Sequence, residues 1–177
     1  MTEEFVDLVD SAGTVRVRGI ARGDLRGRKH EFVAKGLYQP IVIVVVLDAL
    51  GRVASHQRAI KSDDGDGQID HVCGAIRSDE PWDVAADRES SEEIGYALEA
   101  VHLVDARVNE YQRYRYLGVA RVDFSRGPSD GTDHVHWATP ADLRKLAMDG
   151  TPFVDGFFSD LDLALASLPG HTPLVPN

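Results

Sequence analysis

Residues 74–96 read GAIRSDEPWDVAADRESSEEIGY, and the reading of this stretch decides the fold. Gly74 is followed after five residues by Glu80, after seven more by Arg88-Glu89, and then by Glu92-Glu93 and Gly95. The second half predicts a helix. Pro81 suits its first position, where a missing N–H has no intrahelical partner. Gly95 suits its stop, where a left-handed residue satisfies the last carbonyls. At about 100° per residue, Glu89, Glu92 and Glu93 share an arc of roughly 100°. Carboxylates crowded on one face repel and raise each other's pKa, and a divalent cation relieves that repulsion. Hard oxygen donors suit Mg²⁺ or Mn²⁺. The competing reading is a solvated acidic helix face, the usual fate of a charge run.

Working outward, residues 41–47 form the β-branched run IVIVVVL, which suits a strand buried on both faces. Residues 48–51 turn the chain and residues 52–58 return antiparallel. A short strand over 69–73 leads into the stretch. Residues 101–108 and 111–124 predict two further strands, and 135–137 a short one. Residues 5–20 predict a β-hairpin, with a turn at 10–13. Residues 21–37, rich in Arg, Lys and Gly, predict a loop. Residues 140–148 predict a helix capped by Thr139, and 155–168 a last helix. The polar segment 61–68, KSDDGDGQ, lacks calcium-loop spacing and a closing Glu. Alone, these elements give a single α/β or α+β domain over residues 1–177.

Composition sets limits. A net charge of −10 argues against a nucleic-acid polymer, which needs a broad basic surface. It leaves room for a small anion, because a metal and a few arginines override the mean field locally. The single cysteine excludes an internal disulfide and fits a reducing cytoplasm. The N-terminal MTEEF lacks a signal-peptide core, and the longest apolar run is too short to span a membrane.

The spacing over 74–96 resembles the Nudix box, G-x5-E-x7-R-E-U-x-E-E-x-G-U with U apolar. Every Gly, Glu and Arg of the pattern is present; Ser90 and Tyr96 depart from it at the two U positions. The resemblance implies an α/β Nudix fold, a mixed sheet sandwiched between helices. It also implies Mg²⁺-dependent hydrolysis of a diphosphate bond in a nucleoside diphosphate derivative or related compound. Over about residues 5–165 the flanking segments FVDLVDSAGTV, IVIVVVLDALGRV, QRAIK and HWATPADL resemble the isopentenyl-diphosphate isomerase-like branch. In those isomerases a catalytic cysteine precedes the box glycine, as Cys73 precedes Gly74 here. The isomerase metal ligands are not matched. Ala75 and Tyr38 stand at two histidine positions, and residues 111–116 hold no glutamate pair. The resemblance therefore favours a hydrolase, with an isomerase and a non-catalytic ligand-binding module as alternatives. Cys73 reads as either catalytic or packing.

Within that reading, Glu92 and Glu93 are leading metal ligands and Gly74 contributes a backbone carbonyl. Glu89 is a third ligand or the base that activates water. Arg88 orients these carboxylates through a bidentate pair. Glu80 is a helix-start and loop residue. Arg58 and Lys61 could grip a diphosphate, or be solvated surface charge. Asp130 and Asp133 are alternative bases. His134 and His136 share a strand face, a weak metal signal. Tyr111, Tyr114 and Tyr116 read as packing residues. The partners expected are a small diphosphate compound, no nucleic-acid polymer, no membrane and, as an option, a second copy in a homodimer.

Overall fold

The computed structural model describes residues 3–58, 67–126 and 135–169. Alternating residues build the first hairpin: β1 (Phe5–Val9) pairs antiparallel with β2 (Val15–Ala21). The segment expected to be a loop is instead a helix, α1 (Arg22–Val33). Gly23 and Gly27 each cost about 1 kcal/mol in a helix interior, and Leu25 is the buried residue. Tertiary packing supplies what propensity lacks. Leu25 joins Val6, Leu8 and Ala75 in a small core, with Phe32 and Leu37 packed against it. A helix sustained by so few apolar contacts leaves no 3.6-residue periodicity to read.

The β-branched run becomes β3 (Pro40–Leu47), the centre of the main sheet. It is followed by β4 (Val53–Gln57), β5 (Ile69–Asp70) and β6 (Val72–Ala75). Helix α2 (Trp82–Glu93) leads to β7 (Leu98–Val108), β8 (Tyr114–Val122) and β9 (Val135–Ala138), then α3 (Pro140–Met148) and α4 (Phe157–Ala166). The sheet runs in the order β5-β4-β3-β8-β7, with β6 also on β3 and β9 on β4. β3 and β8 are parallel and the other pairs antiparallel. One face packs Val42, Val44 and Ala120 against Ala85, Ala86 and Ile94 around α2. The other packs Val45, Leu117 and Val119 against Leu143, Phe157 and Leu161 of α3 and α4. Burying each such Val, Leu or Phe stabilises by about 1.5–3 kcal/mol. The result is the mixed α/β/α sandwich. Among the described residues no helix is long and apolar enough to cross a membrane.

Local chemistry moved several boundaries. Pro81 takes the cap position of α2, one residue before the expected first turn. Gly95 is left-handed at φ 75°, as a helix stop needs. Ser90 shows why an apolar box position tolerates a hydroxyl: it is fully buried, and its Oγ donates to the Tyr96 carbonyl at 2.7 Å. β8 starts at Tyr114, because Asn109 closes a turn over the preceding residues. Its Oδ1 accepts from the N–H of Tyr111 at 3.1 Å and of Arg113 at 3.0 Å. Thr139 caps α3, accepting from the Asp142 N–H at 3.2 Å.

His71 is buried between β5 and β6. It stacks on Phe157 with ring centroids 3.8 Å apart, and its Nε2 lies 2.9 Å from the Phe157 carbonyl. Burial pushes its pKa down from 6.5 to about 4. A depressed histidine stabilises the fold fully above pH 6.5. That stability is lost as pH falls towards 4, because the unfolded chain takes up the proton first. At about 1.4 kcal/mol per pKa unit the loss approaches roughly 3 kcal/mol. The variant His71→Phe keeps the stacking and cannot titrate. Urea unfolding at pH 7.5 and 4.5 should show wild type losing about 2 kcal/mol more than His71→Phe over that interval. Equal losses in the two proteins would assign the pH dependence to other groups.

Candidate active site

β6 and α2 meet at Gly74. The strand pairs Gly74 with Val42 of β3, and α2 returns across it with Glu89 facing the strand. A Cβ at residue 74 would lie 1.9 Å from both Cδ and Oε1 of Glu89. Only the missing side chain lets the carboxyl group settle on the strand.

Arg88 ties this corner together. Its Nε donates to Glu80 Oε1 at 2.8 Å and its Nη2 to Glu80 Oε2 at 2.9 Å, a bidentate pair. Nη1 donates to Glu89 Oε1 at 2.6 Å, and Nη2 also reaches the Ala75 carbonyl at 2.9 Å. The two-pronged partner of Arg88 is therefore Glu80, and the helix carboxylates receive single contacts. Glu80 also accepts the Arg77 N–H at 2.8 Å. Burial works against the Glu80 carboxylate, yet Arg88 and that N–H hold its pKa below the ordinary value. Glu89 goes the other way: burial outweighs Arg88 and raises it.

The helix glutamates divide by environment. Glu93 turns inward, accepting the Cys73 N–H at 2.9 Å with Oε2. Burial pushes its pKa up to about 9. Its Oε1 lies 3.7 Å from His56 Nε2, and burial lowers the pKa of that histidine. Burial thus disfavours the charged form of both partners in this contact. Glu92 stays half exposed, 3.5 Å from both Arg77 and Arg88. Arg77 also reaches Glu4 of the hairpin at 3.1 Å. It borders a cleft of about 910 Å³ lined by Glu4, Phe5, Arg22, Arg26 and Ser78 among others.

Beyond Gly74, the Cys73 Sγ donates to Asp70 Oδ2 at 3.3 Å, and Arg58 Nη1 donates to the same oxygen at 2.8 Å. Burial first, then the Asp70 and Glu93 charges, raise the thiol pKa well above its ordinary value. Arg58 thus sits beside the box strand, held by Asp70. Lys61, Asp130, Asp133 and His134 lie outside the described residues. His136 is exposed on β9 opposite Ser55. Tyr114 is buried and Tyr116 stacks on Trp82 at 6.1 Å, so these two pack, while Tyr111 is exposed. Sequence reading missed His56, Asp70 and Arg77. None belongs to a spaced pattern, although Asp70 beside a short apolar strand was a legible oddity.

The donors fit a hard divalent cation in kind. Glu89 and Glu93 are carboxyl groups whose anionic forms burial disfavours, which a cation would offset. Among the described residues no three His, Cys, Asp or Glu side chains converge as a preformed cage. The group would be held by Glu89 and Glu93, with Glu92 at the exposed rim.

A family model described as the NUDIX domain matches residues 37–161. A search of curated proteins gives no match. Among solved structures the chain is similar to DR0079 from Deinococcus radiodurans, with a TM-score of 0.64 and 19% identity over 89% of this chain and 96% of that one. It is also similar to a NUDIX hydrolase from Nitrosomonas europaea, with a TM-score of 0.56 and 14% identity over 71% of this chain and 87% of that one. At such identities these two likenesses show the fold alone.

Proposed function

The chain belongs to the Nudix family, and from that premise we propose that it hydrolyses a diphosphate bond in a nucleoside diphosphate derivative or related compound, using Mg²⁺ or Mn²⁺. The observation that carries this reading is the seating of Glu89 on Gly74, braced by Arg88 from Glu80. A binding module has no need of that arrangement. A bound divalent cation supplies charge neutralisation on the phosphate oxygens and lowers the pKa of a bound water. The chain's own residues supply the rest. Glu89, Glu92 and Glu93 are the anionic donors. Arg88 occupies Glu89 Oε1, leaving Oε2 to hold the cation or to take a proton from the attacking water. Arg58, half-buried beside Cys73, offers positive charge near the substrate's diphosphate. A small diphosphate partner and a cytoplasmic setting are part of this proposal.

The isomerase-like branch rests on the flanking segments and on Cys73 beside Gly74. Residues 111–116 hold no match for the glutamate pair of the isomerases, and Arg115 among them is committed to Asp160 and Asp105. This favours water over an alkene as the reacting partner. The test is a screen of diphosphate compounds with Mg²⁺, scored for released phosphate, on wild type and Cys73→Ala. Turnover should vanish in excess EDTA, and Cys73→Ala should stay within a few-fold of wild type. Full turnover in EDTA sinks the metal. Conversion of isopentenyl to dimethylallyl diphosphate that depends on Cys73 gives the isomerase reading instead.

A further inference from the structure

Glu4 lies just before β1, and its carboxylate bridges two guanidinium groups from different parts of the fold. Arg22, at the start of α1, donates Nη1 to Glu4 Oε2 at 2.5 Å. Arg77, shortly after Gly74, donates Nη2 to Glu4 Oε1 at 3.1 Å. The main chain around Glu4 is pinned: the Arg22 N–H donates to the Glu4 carbonyl, and the Ser78 N–H to the Phe5 carbonyl, both at 2.8 Å. The side chain itself is held by the two arginines. Arg77 Nη2 also donates to Glu92 Oε1 at 3.5 Å, so one nitrogen serves both Glu4 and a candidate metal donor. From Glu92 the ion pairs continue through Arg88 to Glu89. A run of alternating charge thus joins Arg22 to the carboxyl group seated on Gly74.

The cleft at this corner holds about 910 Å³, the size of a small-molecule site. Three arginines, Arg22, Arg26 and Arg77, line it against two glutamates, Glu3 and Glu4. It is therefore locally cationic on a chain of net charge −10, and a cationic cleft draws small anions in spite of the mean field. Glu4 holds its place there weakly. Its side chain is 34% exposed and those of Arg22 and Arg77 are 40% and 42% exposed, and ion pairs this open to water exchange easily. Each arginine gives Glu4 a single nitrogen, whereas a guanidinium fork matches two oxygens of a phosphate. A phosphate also brings more charge and more acceptor oxygens than the carboxylate.

We propose that this cleft binds a phosphate group of the substrate's diphosphate, and that Glu4 is its internal occupant, displaced from Arg22 and Arg77 when the phosphate arrives. The phosphate chemistry rests on the hydrolase reading. Because Glu4 precedes the strand, its side chain can swing away without breaking the pairing of β1 with β2. Arg77 meets Glu92 as well as Glu4, which puts the bound phosphate beside the candidate metal donors.

The experiment is calorimetric titration of inorganic pyrophosphate into wild type, Glu3→Gln, Glu4→Gln and Glu4→Gln/Arg77→Met, in EDTA so that no metal contributes. Glu4→Gln should bind roughly ten-fold more tightly than wild type, because the internal competitor is gone. Glu3→Gln removes the same charge from the same cleft and should gain far less. Adding Arg77→Met to Glu4→Gln should weaken binding roughly ten- to a hundred-fold, as expected for losing a charge-assisted contact. The changed side chains are exposed or half-exposed, so circular dichroism should show every variant folded. Should the double variant unfold, Glu3→Gln against Glu4→Gln decides alone. No gain in Glu4→Gln, an equal gain in Glu3→Gln, or no loss on adding Arg77→Met overturns the proposal. Arg77-dependent pyrophosphate binding with no Mg²⁺-dependent turnover of any diphosphate would sink the hydrolase reading and leave the anion site standing.

Discussion

Gly74→Ala should lower kcat/KM by about two to three decades, equivalent to roughly 3–4 kcal/mol of transition-state stabilisation. The new Cβ would stand 1.9 Å from the Glu89 carboxyl, a distance no relaxation of the methyl can relieve. The strand itself is pinned, because β6 pairs with β3 at four successive positions through Ile41↔Ala75, Val42↔Gly74, Ile43↔Cys73 and Val44↔Val72. Glu89 must therefore leave, giving up its contact with Arg88 and its place beside Glu93. The double-mutant cycle with Glu89→Ala decides whether the loss runs through that side chain. Gly74→Ala added to Glu89→Ala should cost little further activity, since the clash partner is already gone. Additive losses in the cycle would mean that the strand, and not Glu89, is what the glycine protects. Circular dichroism should show all three variants folded.

Arg88→Met should cost about 3–5 kcal/mol of stability, the range for removing one partner of a buried ion pair. Arg88 and Glu80 are only 15% and 12% exposed in their side chains, so solvent does little to screen what is left behind. The change strands both oxygens of Glu80, removes a partner of Glu89 and frees the Ala75 carbonyl. Urea unfolding at neutral pH measures the loss. The double variant Arg88→Met/Glu80→Gln should recover part of it, because no anion is then left unpaired at residue 80. The pH dependence should also change. In wild type the depressed Glu80 pKa adds stability above its unfolded pKa, and this is lost as pH falls through the folded pKa. In Arg88→Met, Glu80 should no longer contribute that way. A loss under 1 kcal/mol would show that Arg88 is dispensable to the corner it bridges.

Much of the candidate site was legible because it lies along one strand–helix unit. Arg88, Glu89 and Glu93 sit at intervals set by the helix repeat, and Gly74 lies on the strand that leads into that helix. The role of Glu80 was not legible. It precedes α2 and pairs with Arg88, eight residues away, through a loop whose path depends on Asp79 at φ 60° and on the Arg77 N–H. The central strand was legible as well, since a β-branched run has few uses other than a strand covered on both faces.

The sequence by itself determined the metal-suited carboxylates of α2, the glycine beneath them and the β-branched centre of the sheet, because these are properties of adjacent residues and fixed repeats. Only the tertiary structure decided that residues 22–33 are helical, and that Glu93 turns inward while Glu92 stays at the rim. Equal spacing on a helix does not give equal solvation. The side packed against β6 and His56 loses water and its pKa rises, and the side facing Arg77 keeps it. Helix α1 depends on contacts with segments as far as 82 residues away, such as Lys29 with Tyr111, which no local pattern records.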